Sequence, residues 1–364
     1  MIGILGGGQL ARMLALAGYP LGLTFRVLDP SVDPPAGDVA PSVTSPFDDL
    51  IALDGFLEGC EVVTYEFEQV PAASARRIAQ RVPVHPSPDI LEVAQDRLAE
   101  KELFLSLDIP TPRFARVDDH SMVTGAVAEI GIPSILKTRG GGYDGKGQLR
   151  LTDHSGKDHA WENLGGAPCI LEELIDFDRE LSIVAARTAD GSIAFYPPVE
   201  NHHTGGILRL SVAPAPDLTQ DLVDQAEHHA RRVLERYDYQ GVLAIELFEK
   251  DGVLFGSEIA PRVHNSGHWT IDGAETSQFE NHLRGILGKP LGDPSVRGHA
   301  AMVNLIGATP DLDAMLAAGG HVHLYGKEAR SGRKLGHVNL RAGSADELEE
   351  GIGRITALVD QGRS

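Results

Sequence analysis

The stretch Ser134-Ile135-Leu136-Lys137, followed closely by Gly140-Gly141-Gly142-Tyr143-Asp144-Gly145-Lys146-Gly147-Gln148, decides how this chain is read. The first part is an apolar strand ending in a lysine. An ammonium at a strand end beside a glycine loop can face phosphates as a point charge. Five glycines among residues 140–147 do not serve regular structure, because each weakens a helix or strand. They permit a flap whose backbone N–H groups can wrap oxyanions. Lys146 adds a cation, and Tyr143 and Asp144 add a hydrogen-bonding side chain each. The plain alternative is a hairpin loop, and composition alone does not choose the nucleotide.

On the N-terminal side, short strands alternate with helices over the first ninety residues. Strands are expected at Ile2–Leu5, Thr24–Leu28 and Glu61–Tyr65, with helices at Gln9–Ala17 and Pro71–Gln80. That order implies a parallel sheet with covered faces. His85-Pro86-Ser87-Pro88 reads as a linker, and Asp89–Leu107 as one long helix containing Asp96-Arg97. From about Pro110 the strands lengthen and pair as hairpins, the texture of an α+β domain with antiparallel sheets. Expected strands are Pro133–Lys137, Gln148–Leu151, Cys169–Glu173, Glu180–Ala186 and Ser192–Tyr196, then Val242–Phe248 and Val253–Ile259 around a turn. Helices are expected at Leu218–Tyr237 and Gln278–Leu287. The last part carries strands near Ala300–Ile306 and His321–Tyr325, a basic patch, and a helix at Ala345–Gly362.

With 364 residues the chain suits two or three domains. A net charge of −20 argues against a general nucleic-acid binder, which needs a basic footprint. It also makes any local cluster of cations informative. No apolar run approaches the length of a membrane span. Met1 leads straight into a strand pattern without a basic leader, so a cytoplasmic protein is expected. Cys60 and Cys169 are too few and too far apart for a disulfide framework or a zinc site, and read as two buried thiols. His202, His228 and His229 read as surface histidines.

Gly6-Gly7-Gly8-Gln9-Leu10-Ala11 follows a strand, opens a helix and fits G-x-G-x-x-A, with Asp29 at the end of the second strand. On spacing this is a dinucleotide fingerprint, which would make the chain an NAD-dependent dehydrogenase. The physics is generic, however. A helix N-terminus offers N–H donors to any phosphate or carboxylate, and a tight turn without ligand remains an alternative.

Glu246 and Glu258 stand inside apolar strands, where an unpaired charge is costly. A three-residue loop Lys250-Asp251-Gly252 would pair Glu249 with Val253 and place both carboxylates on one face as diagonal neighbours. A two-residue turn would place them on opposite faces. Two carboxylates plus substrate phosphates are what Mg²⁺ prefers. Two salt-bridged glutamates on a wet face are the alternative.

Several strings together resemble one family. They are Ile4-Leu5-Gly6-Gly7-Gly8-Gln9-Leu10, Thr64-Tyr65-Glu66-Phe67-Glu68, Gly142–Gln148, Glu200-Asn201-His202-His203, and Glu258-Ile259-Ala260-Pro261-Arg262-Val263-His264-Asn265-Ser266-Gly267-His268. The sequence is similar, nearly end to end, to the N5-carboxyaminoimidazole ribonucleotide synthases, ATP-grasp enzymes of purine synthesis. The resemblance implies an α/β and α+β chain: an N-terminal Rossmann-like pre-ATP-grasp domain over 1–90, an ATP-grasp domain over 91–295 with a flap subdomain at about 115–175, and a small C-terminal domain over 296–364. It implies that Arg97, Lys137 and the flap (Gly142, Tyr143, Asp144, Gly145, Lys146, Gly147, Gln148) hold ATP phosphates. Glu172, Glu173, Leu174 and Ile175 would line the adenine edge, Glu180 would meet the ribose, and His203 would sit in the nucleotide site. Glu246 and Glu258 would bind Mg²⁺. The ribonucleotide would lie against Gly8, Gln9, Leu10, Glu68, Tyr143 and Asp144, with Arg262, His264, Asn265 and Ser266. Ser257 departs from the family, which usually has Asn before the metal glutamate; a hydroxyl is shorter than an amide.

Lys327, Arg330, Arg333, Lys334 and His337 form a basic run near the C-terminus of an acidic chain. It is either a solvated loop or, by the resemblance, a phosphate site built from Lys327, Arg333 and Lys334. The implied reaction is carboxylation of 5-aminoimidazole ribonucleotide by ATP and bicarbonate through carboxyphosphate, with Arg262, Lys137, Tyr143 and Asp144 closest to the chemistry. A homodimer and a functional link to the mutase acting next are implied as well. The rivals are a formate-dependent glycinamide ribonucleotide transformylase, the dehydrogenase above, and a nucleotide-binding module without catalysis.

Overall fold

The computed structural model describes residues 1–141, 147–153 and 159–361. The flap residues Gly142, Tyr143, Asp144, Gly145 and Lys146, expected to touch both ligands, lie outside the described residues.

Strands β1 (Ile2–Leu5), β2 (Phe25–Asp29), β3 (Ser42–Thr44) and β4 (Val62–Tyr65) form a parallel sheet in the order β3-β2-β1-β4. All four residues of β1 are buried, as expected of a central parallel strand covered on both faces. Helix α1 (Gln9–Gly18) covers one face; α2 (Leu50–Phe56) and α3 (Ala72–Ala79) cover the other, with Phe56 and Ile78 in that core.

Where one helix was expected over Asp89–Leu107, there are two: α4 (Pro88–Ala94) and α5 (Arg97–Ser106). The break is Asp96, which adopts an extended backbone and caps α5 by accepting from the Leu98 N–H at 2.9 Å. Arg139 holds the same carboxylate, with its Nε 2.9 Å from Oδ1.

The second sheet contains β5 (Phe114–Val117), β6 (Ser134–Thr138), β7 (Gln148–Leu151) and β8 (Cys169–Glu173), antiparallel in the order β5-β8-β6-β7. Helices α6 (Val123–Ile130) and α7 (Ala160–Asn163) pack on it. Lys137 pairs with Gln148 across the flap hairpin.

The third sheet has nine strands among the described residues: β9 (Arg179–Arg187), β10 (Ile193–Phe195), β11 (Val199–Thr204), β12 (Ile207–Ala213), β13 (Gly241–Lys250), β14 (Val253–Ala260), β15 (His299–Ile306), β16 (His321–Leu324) and β17 (Lys334–Ala342). Its order is β14-β13-β9-β11-β12-β15-β17-β16, with β10 on β9. Helix α8 (Gln220–Arg236) covers one face with Leu222, Ala226, Ala230 and Val233, an i, i+4, i+8 stripe. His229 belongs to that stripe and is buried, so it is a core histidine and not a surface one. Helices α9 (Thr270–Gly273) and α10 (Gln278–Ile286) pack between this sheet and α1. Helices α11 (Leu312–Ala317) and α12 (Ala345–Gln361) cover its C-terminal strands.

The β13–β14 hairpin departs from the expected loop. Lys250 pairs with Val253, so the turn has two residues. Asp251 (φ 51°) and Gly252 (φ 76°) are both left-handed, the geometry that a two-residue hairpin demands. That turn alone would put Glu246 and Glu258 on opposite faces. A β-bulge intervenes: Leu247 pairs with Gly256 but Glu246 pairs with Glu258, leaving Ser257 as the extra residue. The two glutamates are therefore direct cross-strand partners on one face.

The basic run is a loop only in part: Lys327, Arg330 and Arg333 lie in the connection between β16 and β17. Lys334 begins β17, and His337 inside it is fully buried. Burial holds the His337 imidazole well below its usual range, so it is neutral and lends no charge to the patch.

Candidate active site

The glycine turn before α1 has its anion already. Gly8 N–H donates to Glu66 Oε1 at 2.8 Å, Leu10 N–H to Glu66 Oε2 at 3.2 Å, and Gly7 N–H to Asp29 Oδ2 at 2.7 Å. A Cβ on Gly8 would lie 2.6 Å from Glu66 Oε1, so the fit requires glycine there. The carboxylates of Glu66 and Asp29 occupy the donors that a dinucleotide pyrophosphate would need, which removes the NAD reading. Gln9 instead reaches the C-terminal strands, where its Oε1 accepts from Lys327 Nζ. Burial lowers the Lys327 ammonium from its usual value, and Glu66 opposes that fall.

Arg262 follows β14 and faces the same turn. Its Nη2 stands 3.0 Å from Glu68 Oε1, with both side chains mostly buried. His264 donates its backbone N–H to Gln278 Oε1 (2.9 Å) and places Nε2 3.4 Å from Glu246 Oε1. Burial and the Arg262 charge push the His264 imidazole well below its usual value. Ser266 Oγ meets Ser182 Oγ at 2.7 Å, which is bonded on to Asn201 and Ser211. Asn201 is thus a buried strut of this segment. The Asn265 Nδ2 group is buried and finds no partner among the described residues.

Around the end of β6, Lys137 Nζ donates to Glu172 Oε2 at 3.0 Å, and Arg97 donates to Thr138 O at 2.8 Å. The Glu172 carboxylate is turned inward between Lys137 and Lys101, while Glu173 pairs with Arg113 at 3.0 Å. The chain leaves β8 at Leu174, whose N–H reaches Pro133 O, and Ile175 is half-buried beyond it. Gly147 O accepts from Thr138 N–H at 2.9 Å, and Gln148 opens β7. Glu180 on β9 and His203 on β11 are hydrogen-bonded to each other. Partial burial and then the Glu258 charge push the Glu246 carboxyl up to about 7. The charge of Lys334 acts on Glu246, His203 and His264 alike, which puts the start of β17 near these three side chains. Arg333 and Lys334 also act on Lys327, so the three cations gather around one region.

Glu66, Glu100 and Lys101 were not singled out from the sequence as site residues. Arg97, Glu100, Lys101 and Phe104 fall on one stripe of α5, and charges sharing a stripe with a core phenylalanine are the signal that marks such residues.

Two carboxylates opposed without an equal share of cations suit a hard divalent ion. Among the described residues no cluster of three or more His, Cys, Asp or Glu forms a protein-only metal cage.

A parallel N-terminal sheet, a flap sheet and a large antiparallel sheet carrying paired glutamates define an ATP-grasp protein. Residues 102–279 match the ATP-grasp domain, 1–95 the ribonucleotide synthetase preATP-grasp domain, and 300–351 the phosphoribosylaminoimidazole carboxylase C-terminal domain. The chain belongs to the N5-carboxyaminoimidazole ribonucleotide synthase family. It is 48% identical to the Pseudomonas aeruginosa N5-carboxyaminoimidazole ribonucleotide synthase over 360 residues, covering 99% of each chain. The Thermus thermophilus synthetase structure superposes with a TM-score of 0.95 at 53% identity over 98% of both chains. An Aspergillus clavatus synthase, solved with ADP and 5-aminoimidazole ribonucleotide, superposes with a TM-score of 0.92 at 31% identity, covering 99% of this chain and 98% of that one.

Proposed function

We infer that the chain carboxylates the exocyclic amine of 5-aminoimidazole ribonucleotide, using ATP and bicarbonate and releasing ADP and phosphate. The observation that carries this reading is the cross-strand opposition of Glu246 and Glu258, near enough to the Arg262–Glu68 ion pair for the Glu258 charge to act on both of its members. Glu246 and Glu258 would hold Mg²⁺, which supplies neutralisation of phosphate charge when bound. Lys137, fixed by Glu172, offers its remaining donors to the transferring phosphoryl group. A bicarbonate oxygen attacks the γ-phosphorus, the bond to ADP breaks, and carboxyphosphate forms. The amine nitrogen then bonds to the carboxyl carbon, loses a proton, and phosphate departs. Arg262, oriented by Glu68, would hold the anion through both stages. Lys327, Arg333 and Lys334 would bind the ribonucleotide phosphate, and Asn265 Nδ2 has a donor to offer the substrate. The flap Gly142–Gln148 would exclude water from carboxyphosphate.

Steady-state ADP release with bicarbonate, with and without 5-aminoimidazole ribonucleotide, tests the reading. Release should depend on the ribonucleotide and match N5-carboxyaminoimidazole ribonucleotide formed. Turnover with formate and glycinamide ribonucleotide in its place would overturn it. A homodimer and hand-over of product to a mutase rest on the resemblance alone. Among the described residues no helix is long and apolar enough to cross a membrane.

A further inference from the structure

Lys101 has no part in the reaction above, yet it is among the largest fully buried side chains of the molecule. Its Nζ donates to Ser257 O at 2.6 Å and to Gly256 O at 3.2 Å, and lies 3.8 Å from Glu172 Oε2. The preceding residue, Glu100, is buried too, and its Oε1 accepts from the Ile259 N–H at 2.6 Å. One turn of α5 therefore grips β14 on both sides of Glu258. The grip is tight: Thr111 Oγ1 also donates to Gly256 O (2.9 Å), Gly256 N–H donates to Pro110 O (2.6 Å), and a Cβ on Gly256 would stand 3.0 Å from the Phe104 ring.

The gripped segment is the bulge. A bulge takes backbone groups off the ladder, and buried groups of that kind need other partners. At Gly256, Ser257 and Ile259 the partners are an ammonium, a threonine hydroxyl and a carboxylate. A slip of one residue here would return the hairpin to the plain register set by its two-residue turn. Glu246 would then face Ser257, and Glu258 would point to the opposite side.

We propose that Lys101, with Glu100, is a positioning residue that locks the bulge at Ser257, holds Glu258 opposite Glu246, and through Glu172 fixes Lys137 relative to that pair. The proposal rests on the reading that the two glutamates take a divalent cation. It also accounts for Ser257: the residue contributes its backbone carbonyl to the lock, so its side-chain length is not what aligns the metal carboxylate.

Mn²⁺ binding to the enzyme with ADP, followed by electron paramagnetic resonance, reads the metal pair without turnover. Lys101→Met should weaken Mn²⁺ binding roughly tenfold or more, the range for groups that orient metal ligands. The KM for 5-aminoimidazole ribonucleotide should stay unchanged, and Lys101→Arg, which keeps the donors, should recover most of the loss. Thr111→Val, which removes one bond to the same carbonyl, should weaken Mn²⁺ about threefold. That variant decides the matter if Lys101→Met does not fold. Unaltered Mn²⁺ affinity in Lys101→Met, or in Thr111→Val alone if the former is unfolded, overturns the lock while loss of binding in Glu258→Gln leaves the metal reading standing. Parental Mn²⁺ affinity in both Glu246→Gln and Glu258→Gln overturns the metal reading itself.

Discussion

Glu66 takes two N–H donors at the start of α1 onto one buried carboxylate. Removing it leaves both donors unpaired, so Glu66→Ala should lower stability by about 2 kcal/mol or more in urea unfolding. Arg262 makes a different kind of contribution. Arg262→Ala should cut kcat about a hundredfold or more, the usual effect of losing one donor to a developing anion. Product formed per ADP released should also fall below one, because carboxyphosphate would be lost to water. An unchanged ratio would remove Arg262 from the anion site. At this scale the sequence was readable for the placement of Lys137 and Glu246 on their strands, because each stands in an apolar run. It was not readable for Glu66: a carboxylate folding back on a glycine turn from 58 residues away is a tertiary event. Nor does the surrounding sequence say which of His229, His264 or His337 is buried without asking what covers each strand or helix.

At the level of elements, β5, β11, β12 and β17 were not anticipated, but most strands of the two antiparallel sheets follow from their apolar runs, with boundaries a residue or two from expectation. The hairpin that matters most does not. Lys250-Asp251-Gly252 is compatible with two- and three-residue loops, and a bulge shifts the alternation by only one residue, which so short a strand of mixed apolar residues does not betray. The right conclusion, that Glu246 and Glu258 share a face, was reached through the wrong turn. The single expected helix at Asp89–Leu107 failed for a similar reason: Asp96 looks like an interior residue until Arg139 and the Leu98 N–H claim its carboxylate. Gly252 gives a test of the turn. With φ at 76° and no atom near its missing Cβ, Gly252→Ala should cost about 1 kcal/mol from backbone strain alone. Mn²⁺ affinity should be unaltered, since the register near Glu258 is fixed at the other end of the strand.

Across the whole molecule, His282 joins two sheets. Its Nδ1 accepts from the Val242 N–H (3.1 Å), so Nε2 carries the proton and donates to Thr64 Oγ1 (2.9 Å). Burial pushes its pKa down to about 3. Because the folded value lies below the unfolded value of 6.5, the unfolded chain takes up the proton first. Stability is complete above that value and declines as pH falls beneath it. Lowering pH from about 7.5 to about 5 should cost about 2 kcal/mol through this one side chain. Urea unfolding of His282→Gln at both pH values should show that much less acid sensitivity than the parent. Lys327 spans the other divide, from the C-terminal strands to Gln9, and Lys327→Met should raise the KM for 5-aminoimidazole ribonucleotide about tenfold, as loss of a charged hydrogen bond to phosphate does. Between these joints runs the seam from β12 to β15, where Leu210, Ser211, Val212 and Ala213 pair with residues 300–303. The third sheet does not stop where the ATP-grasp match stops. A version of the chain cut ahead of His299 would keep the Glu246–Glu258 hairpin but bare Leu210–Ala213 of β12, an unguarded edge open to pairing with other chains. Such a fragment should precipitate during expression, so the carboxyl-terminal strands act as a seal on the sheet.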